Sequence, residues 1–309
     1  MTELATTADA PSASTPPLSK APAGLVSRFV HVVLPPLGVA AAVVGVWLFV
    51  TYQLLRTDQR AFLPPPHEVV SRGFLDWDRL RPILEGLART TWVAVAGLAI
   101  AFVIGTLTAT LMSQASWLER TLYPYAVILQ TIPLVAIAPI IGLKMGFSNN
   151  SRIVITVMIS MFPIIANTLF GLKSATSAQH DLFALHQAGR LTRLRKLQFP
   201  AALPAIFTGL RISAGLSVIG AIVGEFFFRA GDPASAGLGR QLSVYQNQQR
   251  THLVITALFF SCLLGIALFT VFTVIGTQVT KSWSDTAQRP LRPPSSRAPF
   301  EDRRLDVDA

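Results

Sequence analysis

The chain has 309 residues, of which 51% are hydrophobic and only 14% charged, and its mean hydropathy of +0.50 is too apolar for an ordinary soluble domain. Its net charge of +10 does not point to nucleic acid, because the basic residues lie in loops and tails between apolar runs, where lipid headgroups and cytoplasmic retention account for them. A single cysteine, Cys262, excludes an intrachain disulfide and a cysteine metal site, and its apolar surroundings assign it to packing.

In chain order, residues 1–24 are rich in Ala, Pro, Ser and Thr and lack periodicity, which predicts disorder. They also lack the basic start, apolar centre and cleavage site of a signal peptide. Six stretches are then long enough to cross about 30 Å of hydrocarbon, which takes roughly 20 apolar residues in a helix. They run from Phe29 to Leu55, Thr90 to Ser116, Thr121 to Leu143, Ile153 to Leu172, Ala201 to Phe228 and Leu253 to Thr280. Prolines at 35, 36, 124, 133, 139 and 163 predict kinked helices of the kind that surround a pathway, where neighbours re-satisfy the freed carbonyls.

Lys and Arg are more numerous on the side of the two termini, which places both in the cytoplasm. The expected organisation is a disordered cytoplasmic tail (1–28), a first transmembrane helix (29–55), an extracytoplasmic loop (56–86), a five-helix transmembrane domain (87–281) and a disordered cytoplasmic tail (282–309). In the loop, the three prolines of Leu63 to Trp77 predict a stiff elbow followed by a short surface helix. Residues 229–251 form the other sizeable outer loop, and either loop could touch an external partner. Lys281, Trp283 and Arg289 mark the membrane interface at the last span.

The longest cytoplasmic interruption, residues 175–200, has a pattern of its own. Leu182, Leu185, Leu191, Leu194 and Leu197 recur at spacings near three, with Arg190, Arg193, Arg195 and Lys196 between them. This predicts a short amphipathic helical segment, started by a capping box from Thr176 to Gln179 and closed by Pro200 and Pro204, which also open the next apolar run. Such a segment either rests on anionic headgroups or docks a soluble partner.

Catalytic and metal patterns are missing. The chain holds no glycine-rich phosphate loop, no HExxH among its five histidines and no GxSxG, so an enzyme is disfavoured. Polar residues inside the spans are the pathway candidates: Arg211, Glu225, Asn167 and Gln130. Arg211 and Glu225 share a helix about 21 Å apart at 1.5 Å per residue, so they cannot pair. Glu225 falls near the outer end and Arg211 nearer the cytoplasm. An intramembrane charge is by default a functional signal, although Arg211 could also bond to a neighbouring helix. Lys144 ends the third span and snorkels to the interface. Asn167 and Gln130 equally serve as glue between helices.

The segments WLERTLYPYAVILQTIPLVAIAPIIGLKMGF (Trp117 to Phe147), FPIIANTLFGLKS (Phe162 to Ser174) and LPAIFTGLRISAGLSVIGAIVGEFF (Leu203 to Phe227) resemble the permease subunits of bacterial ABC importers. The branch is the one that handles nitrate, sulfonates, taurine, bicarbonate and pyrimidine-type vitamin precursors, and the likeness runs from Leu63 to about Trp283. It implies an all-α membrane protein of the type I importer fold, six transmembrane helices with a cytoplasmic coupling helix. It also implies cytoplasmic ATPase subunits, an extracytoplasmic solute-binding protein and a second copy of the chain as partners, with no cofactor in this chain.

The family's cytoplasmic signature is Glu-Ala-Ala, three residues, then Gly. Counted back from Pro200, it puts Asp181 at the Glu, Leu182 and Phe183 at the two alanines and Gln187 at the Gly. The resemblance thus makes Asp181, Leu182, Leu185, Gln187, Ala188, Gly189 and Pro200 the ATPase-coupling positions, and the missing Gly leaves two alternatives: Gly189 takes over the flexible position, or the docking loop is altered. Two other readings are a secondary transporter, which predicts inverted repeats and paired intramembrane acids, and a membrane scaffold, which leaves the proline-rich spans unexplained. For the solute, Arg211 and Lys144 lean toward an anion, whereas GLSVIGAIVGEFF is closer to the importers of vitamin precursors.

Overall fold

In a computed structural model of the chain, the described residues are 25–56, 59–60, 62–228 and 236–287, with side chains described from 34 to 281. The chain divides into two compact units, residues 1–60 and 61–309. The first holds α1 (Leu25–Phe49), prolonged by a π-helical turn over Val50–Leu54. Pro35 and Pro36 lie inside α1, and the Arg60 guanidinium sits 4.9 Å from the centre of the Tyr52 ring.

The second unit contains α2 (Pro66–Val69) with a π-helical turn over Val70–Phe74, α3 (Trp77–Gln114), α4 (Ser116–Thr131), α5 (Leu134–Met145) and α6 (Asn149–Leu172). It continues with α7 (Ser177–Leu185), α8 (Arg190–Arg193) and a π-helical turn over Leu194–Gln198. It ends with α9 (Phe199–Phe227), α10 (Leu238–Asn247) and α11 (Thr251–Ala287). Among the described residues the structure is helical throughout. Five helical runs are long and apolar enough to cross a membrane, and α4 with α5 makes a sixth if the pair is one span bent by 96°.

The unit is built on the contact between α6 and α9, with α3 laid across both and α11 along α9. Small residues set the α6–α9 spacing. A Cβ at Gly209 would stand 2.8 Å from the Pro163 carbonyl oxygen, and one at Gly220 would stand 2.8 Å from the Thr156 Cα. Backbones that approach this closely gain dispersion contacts along their length, which is how helices associate where lipid removes the hydrophobic drive. Ser213 adds a bond across the seam, its hydroxyl donating to the Ser160 carbonyl at 2.7 Å. Buried clusters follow the seam from Leu172, Ala202 and Ile206 at one end to Ile83, Leu238 and Leu253 at the other.

Several expectations need correction. The third span is broken, because Ile132 and Pro133 take extended backbone between α4 and α5. Helix α3 begins at Trp77, well ahead of Thr90, inside the stretch assigned to the outer loop. Arg79 to Glu85 are compatible with that start because the ion pairs Arg79–Asp76 and Arg81–Glu85 lie along the exposed first turns. The expected tails are helical at Leu25 to Arg28 and from Ser282 to Ala287. Cys262 is exposed and does not pack in the core. The short surface helix after the triple proline is present as α2, and its π-turn abuts α11: Gly73 leaves no room for a Cβ beside the Thr256 hydroxyl. Residues 1–24, 229–235 and 288–309, and the side chain of Trp283, lie outside the described residues.

Candidate functional site

The connection from α6 to α9 is assembled from local rules. Lys173 caps the C-terminus of α6, and its ammonium pairs with the Glu119 carboxylate in the first turn of α4. Thr176 then starts α7 by a full capping box: Gln179 N donates to Thr176 Oγ1 (3.4 Å) and Thr176 N donates to Gln179 Oε1 (3.0 Å). Helix α7 buries none of its residues. Asp181 is exposed, and Leu182 and Leu185 are 53% and 82% exposed.

Helix α7 ends in a Schellman motif. Ala188 N donates to the Phe183 carbonyl and Gln187 N to the Ala184 carbonyl, both at 2.9 Å, which requires left-handed backbone at residue 187. Gln187 supplies it with φ of 50°. Gly189 does not take the flexible role; it has φ of −66° and stands as the N-cap of α8. The left-handed requirement is the physical reason for a glycine at this register, and this chain meets it with glutamine.

That turn also splits the leucine stripe. The predicted single amphipathic helix is two helices, and Leu191 (67% exposed) faces outward with Leu182 and Leu185, while Leu194 packs on the Leu172–Ala202–Ile206 cluster and Leu197 is buried. Pro200 stands where the next apolar run opens, but neither it nor Pro204 ends the helical path. Pro200 sits in the first turn of α9, where its missing N–H costs least, and the helical path runs from Arg190 into α9. The Arg193 guanidinium donates to the Ala188 carbonyl at 3.0 Å and braces the turn.

Above this connection two clefts flank one ridge of α9. The first, about 350 Å³, lies between α6 and α9 and is lined by Asn167, Phe170, Ser174, Ala201, Pro204 and Thr208. The second, about 200 Å³, lies between α9 and α11 and is lined by Arg211 with Phe207, Thr208, Phe272, Thr273 and Thr277. Asn167 satisfies its own helix, donating to the Pro163 carbonyl at 2.8 Å. Gln130 and Lys144 are exposed on α4 and α5, away from both clefts.

Glu225 stands elsewhere, fully buried at the opposite end of α9. Its Oε2 accepts from the Thr90 hydroxyl (2.8 Å) and from Gly239 N (3.0 Å), and Leu238 N donates to Thr90 Oγ1 (2.8 Å). Helix α10 has glycine at its N-cap and no cap of its own, so a carboxylate from α9 and a hydroxyl from α3 cap it in trans. A Cβ at Gly237 would collide with the Glu225 carboxylate, which makes glycine obligatory there. Arg152, one residue ahead of the span expected to start at Ile153, is 1% exposed in the first turn of α6, within electrostatic reach of Glu225. Its Nη1 donates to Asn149 Oδ1 at 2.9 Å. With Glu85, Arg89 and Trp92 of α3, Asn149 and Arg152 line a cavity of about 520 Å³.

Asp181 to Pro200 thus fall in one connection made of two helices, and Arg211 and Glu225 lie apart on α9, as their spacing of 14 residues requires. Sequence reasoning missed Arg152, Thr90 and α10. Helix α10 had a signal, since Leu238, Leu242 and Tyr245 recur at i, i+4 and i+7, and all three pack on the Ile83 cluster. Among the described residues no three His, Cys, Asp or Glu gather in the manner of a metal site.

A multi-span helical unit, its main seam lined with small residues and a capped helix held outside the bundle, has the form of a transport permease. Residues 101–283 match the family described as the binding-protein-dependent transport system inner membrane component. The chain belongs to that family and is a membrane permease component of the ABC transporter class. It is similar to the formylaminopyrimidine transport permease protein ThiX of Halalkalibacterium halodurans, at 36% identity over 68% of this chain and 82% of the relative. It is also similar to the nitrate import permease protein NrtB of Synechocystis, at 26% identity over 72% of this chain and 82% of the relative. A solved structure of the MetNI methionine ABC transporter shares the fold, with a TM-score of 0.51 at 19% identity, covering 66% of this chain and 97% of the other. The all-α class and the type I permease fold stand on these matches together with the helical architecture.

Proposed function

We propose that this chain is the permease subunit of an ABC importer in a bacterial cytoplasmic membrane, paired with a second copy of itself. Both termini and the α7–α8 connection face the cytoplasm. A separate ATPase subunit docks on that connection, an extracytoplasmic binding protein delivers solute at the end that carries α10, and this chain hydrolyses nothing itself. The solute is small, either an anion or a pyrimidine-type precursor, in keeping with the names of the relatives above. Arg211, Asn167, Glu225 and Gln130 are the polar groups in the spans that the reading has to accommodate. Arg211 and Asn167 have clefts beside them and fit a route. Glu225 is buried in a capping role and fits a support of the route, not its lining.

The observation that carries the reading is the apolar face of α7, held out from the bundle by a full capping box and left uncovered at Leu182 and Leu185. Exposed leucines on a rigid nine-residue helix are costly in water and serve as anchors for a partner's cleft. Replacing both with glutamate (Leu182→Glu with Leu185→Glu) is expected to abolish co-purification with the ATPase and solute uptake, while the chain still inserts in the membrane at wild-type level. Uptake and ATPase retention equal to wild type would overturn the docking assignment.

A further inference from the structure

Arg211 forms no hydrogen bond or ion pair with any described residue. It lies twelve residues into α9, about 18 Å from Phe199 along the axis, which is further from that end of the helix than an arginine side chain reaches. Helical side chains slope toward the N-terminus, so the guanidinium hangs over the turn that carries Thr208 and Pro204, the floor of the 200 Å³ cleft.

The hydroxyl groups around it are already engaged as donors. Thr208 donates to the Pro204 carbonyl, Thr273 to Phe269, Thr277 to Val274 and Thr280 to Gly276, at 2.7 to 2.9 Å. The cleft therefore offers a cation with up to five N–H donors, and among the described residues that line it none is acidic. A guanidinium within an apolar span without an acceptor is strongly unfavourable, and a bound anion removes the cost.

We propose that the cleft between α9 and α11 is a binding site for a compact oxyanion group, a carboxylate, sulfonate, nitrate or phosphate, held by the Arg211 guanidinium. Its side walls are Phe207 and Phe272, so the body attached to that group is apolar or flat. Phe207 also approaches α11 closely at Gly276, where a Cβ would stand 2.9 Å from the Phe207 Cβ. Pro204 and Thr208 line both this cleft and the larger one beside Asn167, so the two clefts lie on either side of the same ridge. The oxyanion comes either from the transported solute or from a phospholipid headgroup. As a station for solute, the site rests on the permease reading. Co-purification of the wild-type chain with its ATPase tests that reading separately.

The experiment uses the full-length chain in detergent free of phospholipid, titrated with sodium sulfate against sodium chloride at matched ionic strength, with Tm as the readout. Sulfate stabilises folded proteins in general through exclusion from their surface, so the difference between variants decides. The wild type is expected to show a saturable rise in Tm. Arg211→Gln loses the saturable component, and Arg211→Lys keeps it with at least a tenfold weaker midpoint, because lysine lacks the planar fork. Thr277→Leu fills the cleft, leaves the cation in place and is also expected to lose it, which covers the case of a poorly folded Arg211→Gln. Repeating the titration in phosphatidylglycerol nanodiscs separates the sources. Loss of the sulfate response there assigns the site to lipid phosphate, and its persistence assigns it to solute. A response in Arg211→Gln and Thr277→Leu equal to that of the wild type would overturn the proposal.

Discussion

Gln187 shows how a single backbone angle exposes the chemistry of a signature. The Schellman closure of α7 needs left-handed backbone at the position after the cap, where a side chain costs on the order of 1–2 kcal/mol through crowding of Cβ against the following carbonyl. Gln187 accepts that conformation, and two 2.9 Å hydrogen bonds to Ala184 and Phe183 hold it. Gln187→Gly should therefore raise the stability of the α7 turn by about 1 kcal/mol, less the entropy that glycine adds to the unfolded chain. Slower amide exchange at Ala188 and Gln187 would check it, and unchanged or faster exchange would contradict it. The position of the requirement was legible from the count back from Pro200. The residue that meets it was not, because φ depends on where the helix stops, and α7 stops at Leu185 through its own closure and not through a proline.

At the scale of elements, the ion pair between Lys173 and Glu119 links the start of α4 to the end of α6, a few residues ahead of α7. Glu119 lies in the first turn of its helix and Lys173 at the C-cap of its own, so each charge also meets the helix-dipole end that favours it. With side chains 27% and 49% exposed, such a pair contributes about 0.2–1 kcal/mol to stability at most. It also ties the start of α4, which leads into the 96° bend before α5, to the end of α6 just ahead of α7. Lys173→Glu and Glu119→Lys should each lower solute uptake several-fold while shifting Tm by only a degree or two. The double exchange should restore uptake partially, because it recovers the pair but sets both charges against their dipoles. Uptake in reconstituted vesicles alongside thermal unfolding is the check, and single variants that lose Tm in proportion to uptake would reduce the pair to a structural role. The sequence shows both charges near span ends but not that they meet, since they are 54 residues apart.

Across the whole molecule, the α6–α9 seam is the axis on which both ends depend. It carries the α7 connection at one end and the Arg152, Glu225 and α10 assembly at the other, and its close approach is set by glycines. Gly220→Val would drive a branched side chain into the Thr156 backbone, with a destabilisation of about 1–3 kcal/mol and a shift of both ends together. A lower Tm, accompanied by loss of α10 protection from proteolysis, would report it; retained protection at wild-type level would show that the two ends are independent.

What the amino-acid sequence by itself determined was the class. Apolar runs of about 20 residues can only be satisfied as helices in lipid, and basic connections keep them oriented, so a multi-span helical bundle with one structured connection follows from local composition. Only the tertiary structure decided which polar residues lie together. Arg152 reads as the charged edge of a loop until α9 brings Glu225 to it. Thr90 is one threonine among several until α10 needs a cap. Arg211 and Glu225 are about 21 Å apart on one helix by residue count alone, but only their neighbours place one in a cleft and the other in a capping lattice. Burial and pairing are set by residues far apart in the chain, and no local pattern encodes them.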